Sequence, residues 1–384
     1  MRRSAKSSFC SSLARNHSWD HLTDGLQLRR AKWEGKKKKK IKEEQKKFES
    51  KKEYFIKNGG ILLEKQIALS QGKDIGAGQL KIMSEDEIEK ATNYYDPDLL
   101  VGNFRGTNFY MGTLDDKVLG IKTSENPDSN PELVDLFLTA AAVGMVLCHN
   151  NMIDVYGCCL ETCVPMVIYD VHPRKDLYKL LHGEKALLKP LLWTCRVSVA
   201  TDVAYALSYM HNALSQPVVH RDVMSFGILL DSSFHAKLAF SDYSVAITRG
   251  QRDQRWPVHG ALGYIDPEYM ETQKVTEKCD VYSFGVLMLE LLTSRDPVEM
   301  ARCGYNLVDE FVSEVKKNGF KAAIDMILLE EDNTDDIQRF AQLALKCVAK
   351  KGEERPSMIS VVEELWVIQD QVNNKTKLEV KPCT

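Results

Sequence analysis

Residues 220–231 read His-Arg-Asp-Val-Met-Ser-Phe-Gly-Ile-Leu-Leu-Asp, and the interpretation of the whole chain starts from this stretch. It places a carboxylate, Asp222, directly behind an imidazole and a guanidinium. Asp222 therefore has the chemistry of a general base. Five residues later comes Gly227, which has no side chain and cannot ligate a metal ion. Whether this chain is a catalyst depends on that position and on others like it.

Four further segments accompany this loop. They read Leu-Gly-Ile-Lys at 119–122, Gly-Tyr-Ile-Asp-Pro-Glu-Tyr at 263–269, Asp-Val-Tyr-Ser-Phe-Gly-Val at 280–286 and Glu-Arg-Pro-Ser-Met at 354–358. In this order and spacing they resemble eukaryotic protein kinases across about residues 83–370. The resemblance implies an α+β, bilobal protein-kinase fold, with a small β-rich N-lobe and a larger helical C-lobe.

Shorter segments refine the resemblance. Residues 87–95 and 157–162 resemble the lead-in helix and a strand and turn of the plant wall-associated-kinase-like, receptor-like cytoplasmic group. A lysine-rich start followed by Phe-Ile-Lys-Asn-Gly-Gly-Ile-Leu-Leu-Glu-Lys at 55–65 is similar to the ZRK pseudokinases. In that group the fold serves as an adaptor for a coiled-coil NLR immune receptor. The resemblance therefore implies such a receptor, and cytoplasmic kinases, as partners.

Charge is distributed unevenly along the 384 residues. The net charge is −3, but residues 29–52 hold thirteen Lys/Arg and four Glu, which is +9, so the rest carries −12. Five lysines run from Lys36 to Lys40, either as a solvated segment or as a frayed helix that continues through Lys42–Lys52. Such a run is also consistent with a peripheral contact with anionic lipid. Aromatic residues are too sparse there for nucleic-acid binding. Ten cysteines without a Cys-x-x-Cys pair indicate reduced thiols, and no apolar run reaches the length of a membrane span. We expect a cytoplasmic protein, or one at the inner face of the plasma membrane.

The predicted organisation has five parts. We expect a disordered, basic leader over 1–55, an N-terminal extension with a short helix over 56–92, an N-lobe over 93–168, a C-lobe over 169–370 and a tail over 371–384. Ser84 and Glu87 predict a capping box at a helix start. A second helix is expected from about Pro131 to Leu147, and a third after Thr194.

The resemblance implies a degenerate ATP site made of Lys122, Gly102, Tyr169 and Val171. Lys122 matches the lysine that contacts the ATP phosphates, which a Glu of the next helix normally holds. Counting back from His149 places Ala140 at the position of that Glu, so Lys122 is expected to be unpaired or to find another partner. No ATP or other cofactor is required under this interpretation, and ATP binding is expected to be weak or absent.

Further positions depart from the kinase pattern. Phe104 stands where the second loop glycine would let the backbone approach phosphates. Phe240 stands at the magnesium-binding Asp, unless the alignment slides by two and Asp242 takes that role. Met224 replaces a lysine of the catalytic loop, Ala261 a threonine that orients the catalytic Asp, and Gly227 the second magnesium ligand. Asp222 is then an idle remnant of the base.

Structural positions, by contrast, are retained. The resemblance implies a buried ion pair between Glu268 and Arg355, and a role for Asp280 in bracing the backbone of the catalytic loop. A chain that keeps its braces and loses its metal ligands is typical of a scaffold.

These observations favour a catalytically impaired kinase-fold adaptor, a pseudokinase, in plant immune signalling. The alternative is an active ATP- and Mg-dependent Ser/Thr protein kinase of the wall-associated-kinase-like family, with Asp242 as a relocated metal ligand. A third possibility is a switch that binds ATP without turnover. One candidate interaction surface is the basic run of Arg249, Arg252 and Arg255 beside Trp256, which is equally consistent with a solvated loop.

Overall fold

The computed structural model describes residues 16–70, 80–104, 106–126, 131–171, 175–184, 186, 190–214, 216–239, 243–247, 255–329 and 334–379. Predictions at Phe240, Asp242, Arg249 and Arg252 lie outside these residues, as does the side chain of Phe104. The chain divides into two compact units, Met1–Tyr54 and Phe55–Thr384.

The strands are β1 (Lys81–Ile82), β2 (Leu100–Phe104), β3 (Thr107–Leu114), β4 (Lys117–Ser124), β5 (Val155–Cys159), β6 (Met166–Asp170), β7 (Lys175–Asp176), β8 (Val218–Val219), β9 (Ile228–Leu230), β10 (Ala236–Leu238) and β11 (Val245–Ala246). Within the described residues, six of them form one sheet in the order β1-β5-β6-β4-β3-β2, which is antiparallel except for the β1–β5 pair. The others form a three-stranded sheet, β10-β9-β7, and a pair, β11-β8.

The helices are α1 (Asn16–Ser70), α2 (Glu85–Ala91), α3 (Pro131–Val146), α4 (Leu177–His182), α5 (Trp193–Asn212), α6 (Pro267–Thr272), α7 (Glu277–Thr293), α8 (Pro297–Arg302), α9 (Leu307–Asn318), α10 (Met326–Leu329), α11 (Thr334–Cys347) and α12 (Met358–Glu379). All but the first three follow the six-stranded sheet in the chain. The predicted fold, a β-sheet N-lobe and a helical C-lobe, is therefore confirmed.

Helix α7 lies at the centre of the C-lobe. Its residues from Cys279 to Thr293 are all buried, and it packs against α5, α9 and α11. The predicted helices around α3 and α5 are confirmed, and so is the capping box. The Ser84 hydroxyl accepts the Glu87 N–H, while the Ser84 N–H donates to the Glu87 carboxylate at 2.8 Å. These bonds from Ser84 stabilise the charged carboxylate and lower the pKa of Glu87.

Helix α1 corrects the predicted disorder of the leader, because residues 16–54 are helical. Lysine, glutamate and glutamine have high helix propensity, and two Lys/Glu pairs lie one turn apart: Lys39 with Glu43 and Lys40 with Glu44. For the lysine run, the structure shows the helical alternative. No helix among the described residues is apolar over the length needed to cross a bilayer.

The end of α1, within the unit that begins at Phe55, is docked on the N-lobe. The Asn58 side-chain amide donates to the carbonyl oxygens of Leu160, at 3.1 Å, and of Thr162, at 3.0 Å. Leu62 and Leu69 are buried in the same apolar core as helix α3. This extension is thus a packed element rather than a linker.

Candidate functional site

Three of the four residues predicted for the nucleotide site meet on one face of the N-lobe sheet. Gly120 pairs with Tyr169 across β4 and β6, and Lys122 pairs with Val167. Since side chains alternate along a strand, Lys122, Val167 and Tyr169 point to one face. Leu119 and Ile121 point to the other face and are completely buried in a separate apolar cluster.

A phenylalanine that the sequence analysis missed lies among these residues. A Cβ on Gly120 would come within 2.5 Å of Phe109 Cζ and 3.0 Å of Val171 Cγ2. The Phe109 and Tyr169 ring centroids are 6.2 Å apart. The ring of Phe109 therefore fills the space above Gly120, between the sheet and Val171. The strand register around Phe109 decides this contact. The alternation of side chains along β3 is the only sequence signal that bears on which face Phe109 occupies.

The fourth residue, Gly102, lies in β2 opposite Phe109, beside a register shift. A Cβ on Gly102 would meet no atom within 4 Å. Packing in the described residues therefore does not require a glycine there. The resemblance places the third glycine of the loop at Thr107, and Gly106 lies one position before it. Gly106 has φ +77°, a left-handed conformation that favours glycine. The turn of the hairpin is kept even though the glycine pattern is not.

Helix α3 presents no carboxylate at the expected partner position of Lys122. Ala140 is there and is fully buried, while the Lys122 ammonium lies 5.3 Å from the centroid of the Phe137 ring. A cation over an aromatic face is favourable, although it does not supply a negative charge. The nearby acid of α3, Asp135, pairs instead with Lys65 of α1 at 2.7 Å. Lys65 of the N-terminal extension is thus paired with Asp135, an acid of α3 that lies five residues before Ala140 in the sequence.

Asp280 holds the backbone of the catalytic loop, in the role that the resemblance implies. Its carboxylate accepts the N–H of His220 at 2.7 Å and of Arg221 at 2.8 Å, and it lies 2.8 Å from His211 Nε2. Complete burial alone would raise the pKa of Asp280, but the hydrogen bonds from His211 and Arg221 and the charges of His211 and His220 together outweigh that effect, so its pKa is lowered. This bracing fixes Arg221 at φ +67°, a conformation that is strained for a non-glycine residue.

The altered loop positions are built into apolar packing. Met224 and Ala261 both belong to the main core, so neither is available for a charge. A Cβ on Gly227 would meet nothing within 4 Å, so no described side chain takes the place of the missing amide. Asp222 is half-buried, and its backbone N–H donates to His220 Nδ1 at 3.3 Å. Across the described residues, no group of three or more His, Cys, Asp or Glu side chains is arranged to hold a metal ion.

Arg221 anchors the segment that follows the catalytic loop. Its guanidinium donates to the carbonyl oxygens of Tyr243, at 2.9 Å, and Pro257, at 2.5 Å, and to the hydroxyl of Tyr269. Trp256, which the sequence suggested as a surface anchor, is half-buried and lies over Arg221, 5.9 Å from ring centroid to guanidinium. Arg255 is exposed, and its backbone pairs with that of Lys274 in an isolated antiparallel β-bridge. The candidate patch is thus partly an internal contact.

The predicted ion pair of Glu268 and Arg355 is wrong. Arg355 instead binds Asp266 through two parallel hydrogen bonds of 2.6 and 2.7 Å, and both side chains are almost fully buried. Glu268 is exposed, and its carboxylate accepts the N–H of Gly352. The first turn of α6 explains the exchange, because Asp266 is its N-cap and faces inward, whereas Glu268 lies two residues on and faces outward.

Comparison with known proteins agrees with this architecture. The model of the family "protein tyrosine and serine/threonine kinase" matches residues 102–365. Wall-associated receptor kinase-like 4 of Arabidopsis thaliana is 36% identical over 315 residues, covering 81% of this chain and 41% of that protein. Wall-associated receptor kinase 2 of the same plant is 36% identical over 324 residues, covering 84% and 43%.

A third relative is covered more fully. Putative wall-associated receptor kinase-like 16 of Arabidopsis thaliana is 34% identical over 332 residues, which cover 86% of this chain and 75% of that protein. The chain spans less than half the length of the two relatives named before it.

Proposed function

Because the chain belongs to the protein tyrosine and serine/threonine kinase family and is related to the wall-associated receptor kinases, we propose that it is a catalytically impaired kinase-fold adaptor. The observation that carries this proposal is the ring of Phe109, lodged against Gly120 and Val171 on the face where the ATP site is expected. This packing supports the expectation that Mg·ATP binds weakly or not at all.

The catalytic positions support the same conclusion. Phosphoryl transfer depends mostly on positioned charge, and the loss of one such group typically costs about 10²- to 10³-fold in rate. Gly227, Met224 and Ala140 each lack the functional group that the reaction uses. Losses within one catalytic unit are not additive. Two full losses would lower a typical turnover of about 1–100 per second by about 10⁴- to 10⁶-fold, to at most about 0.01 per second.

An adaptor needs a rigid surface rather than a reactive cleft. Asp280, Arg221 and Arg355 keep the loop, the following segment and the helical lobe in one arrangement through buried hydrogen bonds. Arg221 achieves this with carbonyl oxygens and a tyrosine hydroxyl, so the described contacts require no phosphate. A pre-ordered surface loses less entropy on binding. By resemblance to the ZRK pseudokinases, the proposed partners are a coiled-coil NLR immune receptor and cytoplasmic kinases.

Nucleotide binding by the full chain tests the first half of the proposal. Thermal unfolding is measured with and without ATP and magnesium, and we expect no shift. A ligand at about 100 times its Kd would add about 2.7 kcal/mol, which is several degrees in Tm. The variant Phe109→Val, which shortens the ring, is the control for whether that side chain closes the cleft. Radiolabelled phosphate transfer that stops in Asp222→Asn would show an active kinase and refute the proposal.

Complex formation tests the second half. Candidate coiled-coil NLR receptors are co-expressed one at a time with the full chain and co-purified. We expect Asp222→Asn to bind as the wild type does, since an adaptor does not use the base. Arg255→Glu reverses an exposed charge of the candidate patch, and Arg302→Glu, also exposed, is the matched control. Equal binding by both charge variants would discard the patch without affecting the proposed lack of catalysis.

A peripheral contact with anionic lipid is a separate proposal for the leader. Lys36 to Lys40 are all exposed, and Trp33 and Phe48 on the same helix expose 62% and 70% of their surface. Each near-surface lysine contributes about 1 kcal/mol at an anionic membrane. Sedimentation of the full chain with phosphatidylserine vesicles, but not with phosphatidylcholine vesicles, is the expected result. Replacement of the five lysines by glutamine should abolish it.

A further inference from the structure

The docked end of α1 carries an apolar stripe on the side that faces away from the core. Ile56, Leu63 and Ile67 expose 64%, 56% and 56% of their surface. At about 100° per residue, these three positions and Gly60 fall within about 60° of one another around the helix axis. The buried Asn58 lies about half a turn away from them. The stripe is therefore an outer face of the larger unit.

Gly60 lies within this stripe. A Cβ there would meet no described atom within 4 Å, so packing inside the chain does not require a glycine. Glycine is unfavourable in the interior of a helix, but it allows another backbone to approach closely. The position therefore suits a contact with a helix from outside the chain.

The stripe reads the same in both directions. Ile56 and Ile67 are equally distant from the midpoint between positions 61 and 62, and so are Gly60 and Leu63. When two copies of the helix cross antiparallel at that midpoint, Ile56 faces Ile67 of the other copy and Leu63 lies over Gly60. A two-fold dimer uses one patch on both subunits, so that patch has to complement itself. This stripe meets that condition.

The charges beside the stripe favour the same arrangement. Lys57 and Glu64 are exposed on one flank, whereas Gly59 and Gln66 on the other flank carry no charge. In an antiparallel pair each flank meets its own copy, which brings Lys57 within about 3 Å, measured along the axis, of Glu64 in the other copy. A parallel pair would bring both charges against the uncharged flank. Two ion pairs therefore form only in the antiparallel pair.

We propose that this stripe binds the same stripe of a second copy of the chain, with the two helices antiparallel. The contact extends over about 16 Å of helix. Stable interfaces bury roughly 1,200–2,000 Å², and three apolar side chains per copy supply less than that. The dimer is accordingly weak, with a Kd on the order of 100 µM. It goes beyond the proposed adaptor function and does not depend on it.

Sedimentation equilibrium of the full chain, at concentrations from well below to about ten times that Kd, measures the dimer. Leu63→Glu places a charge in the stripe and should raise the Kd at least about tenfold. Leu262→Glu makes the same change at a leucine that is 50% exposed elsewhere in the larger unit, and it should leave the Kd unchanged. A chain that stays monomeric, or an equal effect of both variants, would overturn the proposal. If Leu63→Glu then weakened binding to phosphatidylserine vesicles or to a receptor, the stripe would belong to that partner instead.

A charge exchange tests the antiparallel arrangement. Lys57→Glu leaves only acidic groups on the charged flank, and Glu64→Lys leaves only basic ones. Each variant should therefore repel itself and dimerise about three- to tenfold more weakly than the wild type. A mixture of the two variants restores both ion pairs and should associate as the wild type does. Weak association in the mixture would refute the antiparallel pairing.

Gly60→Leu separates folding from association. Leucine is the better helix former, and a Cβ at this position meets no described atom, so the unfolding temperature should rise. The same side chain should weaken the dimer, because Leu63 of the other copy lies in that space. A tighter dimer would overturn the close approach at Gly60.

Discussion

The exchange of partners at Arg355 has a measurable consequence for stability. Its guanidinium is fully buried and lies in two hydrogen bonds of 2.6 and 2.7 Å to Asp266, whose side chain is 4% exposed. Removing one charge from a buried pair strands the other and costs about 3–5 kcal/mol. We expect Asp266→Asn to lower the free energy of unfolding by that amount. Asparagine caps a helix about as well as aspartate, so the change isolates the charge from the N-cap of α6.

The same change at the neighbouring acid should cost little. Glu268 is exposed and accepts one hydrogen bond, from the N–H of Gly352. The amide oxygen of glutamine can still accept that bond, so we expect Glu268→Gln to cost about 0–1 kcal/mol. The two variants differ by at least about 2 kcal/mol. Each substitution exchanges a carboxylate for the corresponding amide.

Equilibrium unfolding in urea, followed by circular dichroism, gives both values. Combining each variant with Arg355→Met completes two double-mutant cycles, and the coupling energy should be large for Asp266 and near zero for Glu268. The reasoning is refuted if Glu268→Gln is the more destabilising change, or if Glu268 shows the larger coupling to Arg355. Either result would restore the pairing that the sequence predicted.

Three other predictions concern the cleft, the catalytic loop and the extension. Gly120→Ala should destabilise the fold by about 1–3 kcal/mol, because its Cβ would lie 2.5 Å from Phe109, and Phe109→Val should recover part of that loss in thermal unfolding. The lowered pKa of Asp280 contributes stability above the ordinary carboxyl pKa and loses it as pH falls through the folded value, so the unfolding free energy should decline below about pH 4. In Asp280→Asn that decline should be smaller in urea titrations at successive pH values; an unchanged pH profile would contradict the assignment. Leu62→Ala should cost about 2–5 kcal/mol and speed amide exchange in α1, whereas exposed Leu63→Ala should cost less than about 0.5 kcal/mol; equal effects would show that this part of the helix is not docked.

The fold class was predictable from the sequence, because short motifs in a fixed order and spacing carry the resemblance to protein kinases. The Leu-Gly-Ile-Lys segment, the catalytic loop and the segment at 280–286 were identified from local sequence, and they lie in β4, directly after β8 and in α7. The start of α2 was equally predictable, because a capping box is a contact between residues three apart. For the lysine run of α1 the sequence left a solvated segment and a frayed helix open, because repulsion between the lysines opposes the helix propensity of the residues around them.

In the candidate site, the identity of each side chain was predictable from the sequence, whereas the contacts between distant residues were not. That Gly227, Met224 and Ala140 carry no catalytic group is a property of those side chains, and any tertiary structure would leave it unchanged. Contacts between distant residues are different, because strand register and helix orientation decide them. Only the folded chain brings Phe109 onto Gly120 and turns Asp266, rather than Glu268, towards Arg355.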